Sequence, residues 1–289
     1  MAEPAKEELK NFEKAKELGE DIRVNLLPKI VKVGTPLSEI TKKVEEFILK
    51  HKAQIAFPPQ FGLNDVAAHQ YVGTSNYELK QEDIIKCDIG TAFQGTIYDC
   101  ARSFAWTDQN LKLIQAAEEA LDAAIKTAKL NIPINQIGKQ IAKEITKYNF
   151  QPITNLGGHG VDKYEIHSRV FIPNYDNNNT NIMTKGFYAF EPFATTGVGQ
   201  VIESQDGQVL HLINPTDIRV RSKKLLDFIR KNYPRMPFAK PWLYQNFKPQ
   251  EVAIGLFELK QKKIIMEYKV LREKSKGLVS QAEKTVVIE

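Results

Sequence analysis

Cysteine is scarce in this sequence, and long apolar runs are absent. Two cysteines among 289 residues cannot build a disulfide framework. No stretch approaches the roughly 18 uncharged apolar residues that a membrane-spanning helix needs. The charged N-terminal sequence lacks the apolar core of a secretory signal, so we expect a cytoplasmic protein without a membrane span.

A strong charge imbalance is missing as well. The 40 Lys and Arg residues nearly balance 35 Asp and Glu residues, and a net charge of +5 does not by itself imply a nucleic-acid partner. Hydrophobic residues make up 42% of the chain, which excludes a disordered protein. The length favours one large domain or two modest ones.

A weak internal repeat links residues 34–58 with residues 131–155. Both copies have a proline near their start and continue with apolar residues at helical spacing, which predicts two amphipathic helices. Each copy follows another helical stretch, at 5–31 and 109–129, and precedes a strand-rich block. Two copies predict pseudo-twofold halves of one domain, since a solenoid needs about three repeats or more. The corresponding apolar positions are Leu37, Ile40, Val44 and Ile48 in the first copy and Ile134, Ile137, Ile141 and Ile145 in the second.

Two aspartates interrupt the apolar sequence of the first strand-rich block, 84–106: Asp88 in IIKCDIG and Asp99 in TIYDCA. A hairpin turn at 92–95 would place Asp88 opposite Asp99, and two like charges facing each other destabilise a strand pair. A divalent cation between them reverses that effect. The alternative is a pair of carboxylates that accept backbone N–H bonds at strand ends. In the same hairpin register Cys87 and Cys100 would also face each other. Their side chains would point to the opposite face of the strand pair, behind the site, as free buried thiols.

Three further polar residues stand in similar settings. Glu191 lies among aromatic residues in GFYAFEPFA, Glu283 precedes a β-branched run, and His159 sits between glycines in NLGGHGV. Together with Asp88 and Asp99 they form an oxygen-rich set that suits one or two divalent ions such as Mn, Co, Fe(II) or Zn. Each residue alone is a weak signal, because a lone histidine is more often a hydrogen-bonded core residue. The whole set predicts a metal centre.

The other histidines divide into two kinds. His69 lies in LNDVAAHQY and His167 lies in DKYEIHSRV. Each of these two is either a substrate-facing proton donor or a hydrogen-bonded loop residue. We interpret His51 and His211 as surface or structural histidines.

A basic segment near the C-terminus differs in composition from the rest of the chain. Residues 217–276 hold 16 basic and 6 acidic residues, a net charge of +10, so the remainder sums to −5. SKKLLDFIRKNY, with Ser222 as N-cap, and KPQEVAIGLFELKQKK predict two helices, and GLVSQAEKTVVIE predicts a final strand. The basic excess is either a solvated surface or a weak contact with ribosomal RNA.

The order of these motifs resembles that of the methionine aminopeptidases, and most of all the type 2 branch in its short, archaeal-like form. AAH at 67–69, CDIGT, YDCA, NLGGHG, IHS, FEPFATTG and AEKT follow one another as in that family, along nearly the whole chain. The resemblance implies an α+β pita-bread fold with pseudo-twofold halves and a curved antiparallel sheet backed by helices. Residues 1–213 and 277–289 would form this catalytic domain, and residues 214–276 would be the helical, basic type 2 insertion.

The resemblance also implies roles for individual residues. Glu191 would move the proton during catalysis, while His69 and His167 would hydrogen-bond the developing oxyanion and the scissile amide. Phe57 and Ile166 would line the methionine pocket. The activity would be removal of N-terminal methionine from peptides and nascent chains with a small second residue, by attack of a metal-bridged hydroxide, in a protein we expect to be a monomer. The implied ligands of two divalent metal ions are Asp88, Asp99, His159, Glu191 and Glu283.

The sequence departs from the family pattern at two motifs. Ala282 and Lys284 replace an aromatic residue and a histidine beside the last ligand, and changes next to a ligand can alter metal affinity by about 10–100-fold. Residues 70–72, Gln-Tyr-Val, replace Tyr-Thr-Pro near the expected substrate entrance. Two other functions stay open: a prolidase-like dipeptidase on the same fold, and a non-catalytic pita-bread protein that binds ribosomes or RNA.

Overall fold

The computed structural model of the protein describes residues 4–204, 206–214 and 219–289. A π-helical turn, Ile22–Leu26, joins the first two helices, and a 3₁₀ helix covers Lys240–Gln245. Residues 215–218, at the start of the predicted insertion, lie outside the described residues. Within the described ranges the α-helices are α1 (Lys6–Asp21), α2 (Leu27–Ile30), α3 (Leu37–Lys50), α4 (Asp108–Thr127), α5 (Ile134–Thr146), α6 (Lys223–Asn232) and α7 (Pro249–Gln261).

The strands form one large antiparallel sheet and several small ones. In the large sheet the order is β1-β3-β4-β16-β8-β6-β7. Helices combined with an antiparallel sheet confirm the predicted α+β class. The strands are β1 (Gln54–Leu63), β2 (Val66–Ala68), β3 (Ile84–Phe93), β4 (Thr96–Ala105), β5 (Gln151–Pro152), β6 (Gly157–Val161), β7 (Phe171–Pro173), β8 (Gly186–Phe190), β9 (Phe193–Thr195), β10 (Val201–Glu203), β11 (Val209–Leu212), β12 (Phe238–Ala239), β13 (Ile265–Tyr268), β14 (Leu271–Glu273), β15 (Val279–Gln281) and β16 (Glu283–Ile288).

Two sets of helices cover the large sheet. Apolar residues of α1, α2 and α3 pack with those of β1 and β3, and apolar residues of α4 and α5 pack with those of β7, β8 and β16. All eight apolar positions of the predicted repeat, four on α3 and four on α5, are buried. Pro36 and Pro133 occupy the N-cap positions, where a missing N–H costs no helical hydrogen bond. The sequence repeat therefore corresponds to two helices that share the same N-cap residue and the same spacing of buried residues.

Strands β3 and β4 form the predicted hairpin, but the turn is displaced by one residue along the chain. Phe93 pairs with Thr96, so only Gln94 and Gly95 form the turn. Both have a positive φ, 50° and 83°, as a two-residue hairpin turn requires. The predicted turn at 92–95 was therefore wrong by one residue, because it did not place Gln94 and Gly95 together in the two positions that need a positive φ.

The displaced turn changes which residues face each other. Asp88 lies opposite Ala101, and not opposite Asp99. Each residue now faces a partner two positions further along the opposite strand than predicted, and a shift of two leaves every side chain on its predicted face. The two aspartates are therefore diagonal neighbours on one face of the sheet. Cys87 pairs with Arg102 and Cys100 with Ile89, so the prediction that the two cysteines lie opposite each other was wrong for the same reason. Both are free, buried thiols as predicted.

The C-terminal segment forms two strands where the sequence predicted one. β15 pairs with β9, whereas β16 pairs with β8 and β4. The break between β15 and β16 falls at Ala282. It lies opposite the break between β8 and β9 at Glu191 and Pro192, and the Ala282 N–H donates to the Pro192 carbonyl at 3.2 Å. The backbone therefore changes direction on both sides of the point where Glu191 and Glu283 lie.

Both predicted helices of the basic segment are present, as α6 and α7. Their apolar faces form a core with residues of β11, β12 and β13, and β12 and β13 flank β11 in a small sheet that the sequence did not predict. Ser222 occupies the N-cap of α6 without a side-chain cap bond. The boundaries 214 and 276 stay a prediction. No helix within the described residues is long and apolar enough to cross a bilayer.

Candidate metal centre and active site

The five predicted ligands come from neighbouring strands of the large sheet. Asp88 lies in β3, Asp99 in β4 and His159 in β6. Glu283 is the first residue of β16, and Glu191 directly follows β8. These strands are adjacent in the order β3-β4-β16-β8-β6, so strand pairing brings the five side chains together.

The ligand atoms form two groups that share one residue. Asp99, His159 and Glu283 make the first group, and Asp88, Glu191 and Glu283 make the second. Within each group, one ligand atom from each residue lies within 4.8 Å of the others. A residue common to both groups is the arrangement expected of two-metal hydrolytic sites, whose ions stand about 3.5–4 Å apart.

The buried carboxylates of this centre are electrostatically strained. Burial raises the pKa of Asp88 to about 7. Burial first, and then the neighbouring carboxylates, hold the pKa values of Asp99, Glu191 and Glu283 well above their usual range. Among the described residues, Oδ1 of both aspartates and Oε1 of Glu283 are buried without a hydrogen-bond partner. Orphaned anionic oxygens of this kind are satisfied by a divalent cation, so the residues present fit metal ions.

His159 offers a nitrogen lone pair to the first group. Its Nδ1 lies 3.2 Å from the carbonyl oxygen of Gly160, and its Nε2 lies 3.6 Å from Oδ2 of Asp99. Burial lowers the pKa of His159 to about 4, so the ring is neutral at pH 7. With its proton on Nδ1, the neutral ring has the free Nε2 lone pair that a metal ion needs. Gly158 beside it is required because a Cβ there would meet the carbonyl oxygen of Ala189 at 2.2 Å.

Two uncharged residues support the ligands, and sequence reasoning missed both. Gln281 Nε2 lies 2.6 Å from Oε1 of Glu191 and 3.4 Å from Oε2 of Glu283. Thr285 Oγ1 donates to the carbonyl oxygen of Asp99 and accepts from its N–H, both at 2.9 Å. Positions 281, 283 and 285 alternate along the chain, and this period of two was the available signal.

A cavity of about 370 Å³ adjoins the centre. Phe57 and Ile166, the predicted walls of a methionine pocket, both line it, and Tyr268 lines it as well although the sequence did not single that residue out. The combination of apolar walls with a few polar groups is typical of a small-ligand site. The cavity also contacts four of the predicted ligands and both predicted substrate-facing histidines: Asp88, Asp99, His159, Glu191, His69 and His167.

The two histidines that were predicted to face the substrate lie beside Tyr268. The ring centroids of His69 and His167 are 5.2 Å and 6.3 Å from that of Tyr268, and His167 is 4.4 Å from His159. Burial lowers the pKa of His69, and the cavity walls, by displacing water, hold the pKa of His167 well below its usual range. Nδ1 of His69 lies 3.0 Å from the carbonyl oxygen of Lys269, so in the neutral ring this nitrogen donates and Nε2 is an acceptor.

The remaining histidines do not contact the ligands. His211 stacks on Tyr268 at 6.5 Å and its Nε2 lies 3.1 Å from the carbonyl oxygen of Arg235, while His51 ends α3. Both therefore make ordinary structural contacts, although His211 adjoins the aromatic wall of the cavity.

The departures from the family pattern lie away from the ligand atoms. Lys284 follows Glu283 in β16, and its Nζ approaches Glu20 of α1 at 3.8 Å. The pleat turns neighbouring side chains to opposite faces, so Lys284 does not stand next to the ligands. Ala282 is buried in the core beneath α4 and α5. Residues 70–72 are not among the described residues that line the cavity.

A metal-dependent hydrolase is the class of protein that this fold and centre define, because unpartnered buried carboxylates call for cations and the cavity gives a substrate access to them. Residues 10–213 match Metallopeptidase family M24, and the chain belongs to this family. Membership of a metallopeptidase family means divalent metal binding, in agreement with the two ligand groups.

Archaeal relatives match along nearly the whole chain. The sequence is 37% identical to the methionine aminopeptidase of Thermococcus onnurineus over 282 residues. This alignment covers 96% of this chain and 95% of the relative. It is 34% identical to the methionine aminopeptidase of Methanocaldococcus jannaschii over 287 residues, and this alignment covers 97% of this chain and 96% of the relative.

Solved structures confirm the pita-bread fold. A methionine aminopeptidase from Thermotoga maritima superposes with a TM-score of 0.72 at 18% identity, over 100% of this chain and 95% of that one. A thermophilic Arx1 superposes with a TM-score of 0.82 at 15% identity, over 98% and 89%. A prolidase from Pyrococcus horikoshii has a TM-score of 0.57 at 22% identity and covers only 66% of this chain and 55% of its own. At these identities the three structures support the fold alone.

Proposed function

We propose that the protein removes N-terminal methionine from peptides and nascent chains and prefers a small second residue. One observation carries the proposal: the carboxylate and histidine groups that share Glu283 lie beside an apolar-walled cavity. The chain that holds them is similar, over nearly its full length, to methionine aminopeptidases. As an enzyme of nascent chains, it would work in the cytoplasm.

The two groups would each hold one divalent ion. Asp99 and His159 would bind one, Asp88 and Glu191 the other, and Glu283 would contact both. Oxygen ligands with one imidazole suit Mn, Co, Fe(II) or Zn. When bound, such ions supply a water nucleophile at neutral pH and polarise a carbonyl oxygen.

Glu191 would move the proton between the attacking water and the leaving amine. Its carboxylate lines the cavity and has a raised pKa, which suits a group that accepts and then returns a proton. Gln281 donates a hydrogen bond to Oε1 of Glu191, which leaves the second oxygen of that carboxylate for the ion and for this proton.

The two neutral histidines would divide the remaining hydrogen bonds. With its proton held on Nδ1 by the Lys269 carbonyl, His69 presents Nε2 as an acceptor for the N–H of the scissile amide. His167 would donate to the oxyanion that develops on the carbonyl. Phe57 and Ile166 would contact the apolar methionine side chain, with Tyr268 beside them.

The test of this function is a set of short peptides with Mn²⁺ added. Met-Ala-Ser and Met-Gly peptides should lose methionine only, and a peptide with a bulky second residue should be refused. Gly-Pro and Leu-Pro dipeptides serve as the comparison, because faster cleavage of these than of the methionine peptides would establish a prolidase instead. Failure to bind metal and to cleave either class would establish a non-catalytic binding protein.

The basic segment supports a second element of the proposal, a weak contact with ribosomal RNA. Lys223, Lys224 and Lys231 are exposed on α6, and Arg230 lies between them at 3.9 Å from Asp227. Such a surface concentrates the enzyme near emerging N-termini by phosphate contacts, which weaken steeply with salt.

A further inference from the structure

Gln281 lies at the junction of the two ligand groups without being a ligand. It is the last residue of β15, and its side chain is buried, with 1% of its surface exposed. Its Nε2 is 2.6 Å from Oε1 of Glu191 and 3.4 Å from Oε2 of Glu283. One amide group thus reaches a carboxylate that would serve the second ion and the carboxylate common to both.

The backbone of Gln281 is fixed independently of its side chain. Its N–H donates to Ser103 Oγ at 2.9 Å, and Ser103 Oγ donates to its carbonyl oxygen at 2.7 Å. It also pairs with Phe193 of β9, immediately before the break between β15 and β16. The amide is therefore held in place before any ion or substrate arrives.

A neutral donor is the group that these two glutamates need at this position. The primary amide has two N–H groups and can serve both carboxylates. A lysine there would add a positive charge where the cations bind, and an apolar residue would leave carboxylate oxygens without donors in a buried site. With one oxygen of each glutamate engaged by the amide, the other oxygens are presented to the ions.

We propose that Gln281 is a positioning residue that orients the carboxylates of Glu191 and Glu283 for metal binding and for proton movement by Glu191. This inference rests on the proposed function. It assigns to Gln281 an effect on metal affinity and on turnover, and none on the binding of the methionine side chain, because Gln281 is not among the described residues that line the cavity with Phe57 and Ile166.

Two variants and one matched control test the inference. Gln281→Met keeps the length of the side chain and removes both donors. Gln281→Asn keeps the amide and withdraws it by about 1.5 Å, the length of one C–C bond. Gln115→Met is the control, because Gln115 also donates to a carboxylate, Oε1 of Glu119 at 2.9 Å, but on the exposed surface of α4.

Calorimetric titration of the metal-free proteins with Mn²⁺ is the main measurement. Both Gln281 variants should bind Mn²⁺ about 10–100-fold more weakly than wild type, the usual effect of losing a residue that orients a ligand. For Met-Ala-Ser at saturating Mn²⁺, kcat should fall while KM stays within about twofold. The metal-free Gln281→Asn protein should melt within a few degrees of wild type, and Gln115→Met should match wild type throughout.

Three outcomes would overturn the inference: wild-type Mn²⁺ affinity in both variants, a change confined to KM, or loss of the fold in the conservative Gln281→Asn variant. Failure of the proposed function is a different result, in which wild type itself binds no Mn²⁺ or leaves methionine peptides intact.

Discussion

Replacement of Asp88 by asparagine should make the metal-free protein more stable while it impairs metal binding. Asp88 is nearly buried, and its diagonal neighbour Asp99 is a second buried carboxylate. Burial raises the pKa of Asp88 to about 7 from its ordinary 3.8. Asn keeps the shape of the side chain and removes its charge, so it relieves the strain that a bound cation or protonation otherwise relieves.

The size of the effect follows from the pKa shift. A shift from 3.8 to about 7 corresponds to about 4 kcal/mol when the group is ionised. The new amide is buried with incomplete hydrogen bonding, which destabilises the folded variant by about 1–3 kcal/mol and offsets part of this gain. The expected net gain is about 2 kcal/mol, or roughly 4–8 °C in melting temperature.

The pH dependence has a definite sign. The folded protein holds the Asp88 proton more tightly than the unfolded chain, so ionisation of this group removes stability from wild type as the pH rises from about 4 to about 7. Below pH 4 the carboxyl is protonated in both states, and this charge advantage of the variant disappears. The gain in stability of Asp88→Asn over wild type should therefore grow as the pH rises from about 4 to about 7, and it should be complete at pH 8.

Thermal unfolding in a chelator, at pH 5 and pH 8, measures this difference. Asp122→Asn is the control, because Asp122 is exposed on α4. Addition of Mn²⁺ should then raise the melting temperature of wild type well above that of Asp88→Asn. If Asp88→Asn melts at or below wild type in chelator at pH 8, the carboxylates are not under the strain described here.

Three further predictions concern the neighbours of the centre and the basic segment. Lys284→Ala should leave Mn²⁺ affinity unchanged in a calorimetric titration, because Lys284 approaches Glu20 and not the ligands; a tenfold change would contradict this placement. Thr285→Val should destabilise the metal-free protein by about 1–3 kcal/mol in urea unfolding, since it removes the hydroxyl that both N–H and C=O of Asp99 use; an unchanged midpoint would show that these bonds contribute nothing. Wild type should co-sediment with ribosomes at low salt and be released at raised salt. A variant with four basic residues changed to alanine should sediment less but hydrolyse peptides as wild type does, and equal sedimentation of the two proteins would reject the contact. The four residues changed to alanine are Lys223, Lys224, Arg230 and Lys231.

The amphipathic helices and the buried carboxylates could be predicted because their signals are local. Apolar spacing alone fixed the buried faces of α3 and α5, and a carboxylate such as Asp88 inside an apolar strand is costly enough to demand an explanation. The face of each aspartate was also predictable, because strand geometry has a period of two and survived the register error.

The supporting contacts could not be predicted because they depend on pairing between distant strands. Gln281 and Thr285 are ordinary polar residues until β16 is placed between β4 and β8. The strands that flank β11 are short and have no alternating pattern of their own, so only the packed helices α6 and α7 define them. Lys284 looked like a neighbour of the metal by sequence, and the pleat turns it away.

The most direct test of the proposed two-ion centre is a Mn²⁺ titration of methionine release from Met-Ala-Ser by protein that has first been stripped of metal. Hydrolysis should be absent in chelator and should rise to a plateau at about two Mn²⁺ per chain, with free methionine and Ala-Ser as products. The same titration of Asp99→Asn, which removes the carboxylate beside His159, should stay flat. Full hydrolysis in chelator, or wild-type activity in Asp99→Asn, would contradict the account.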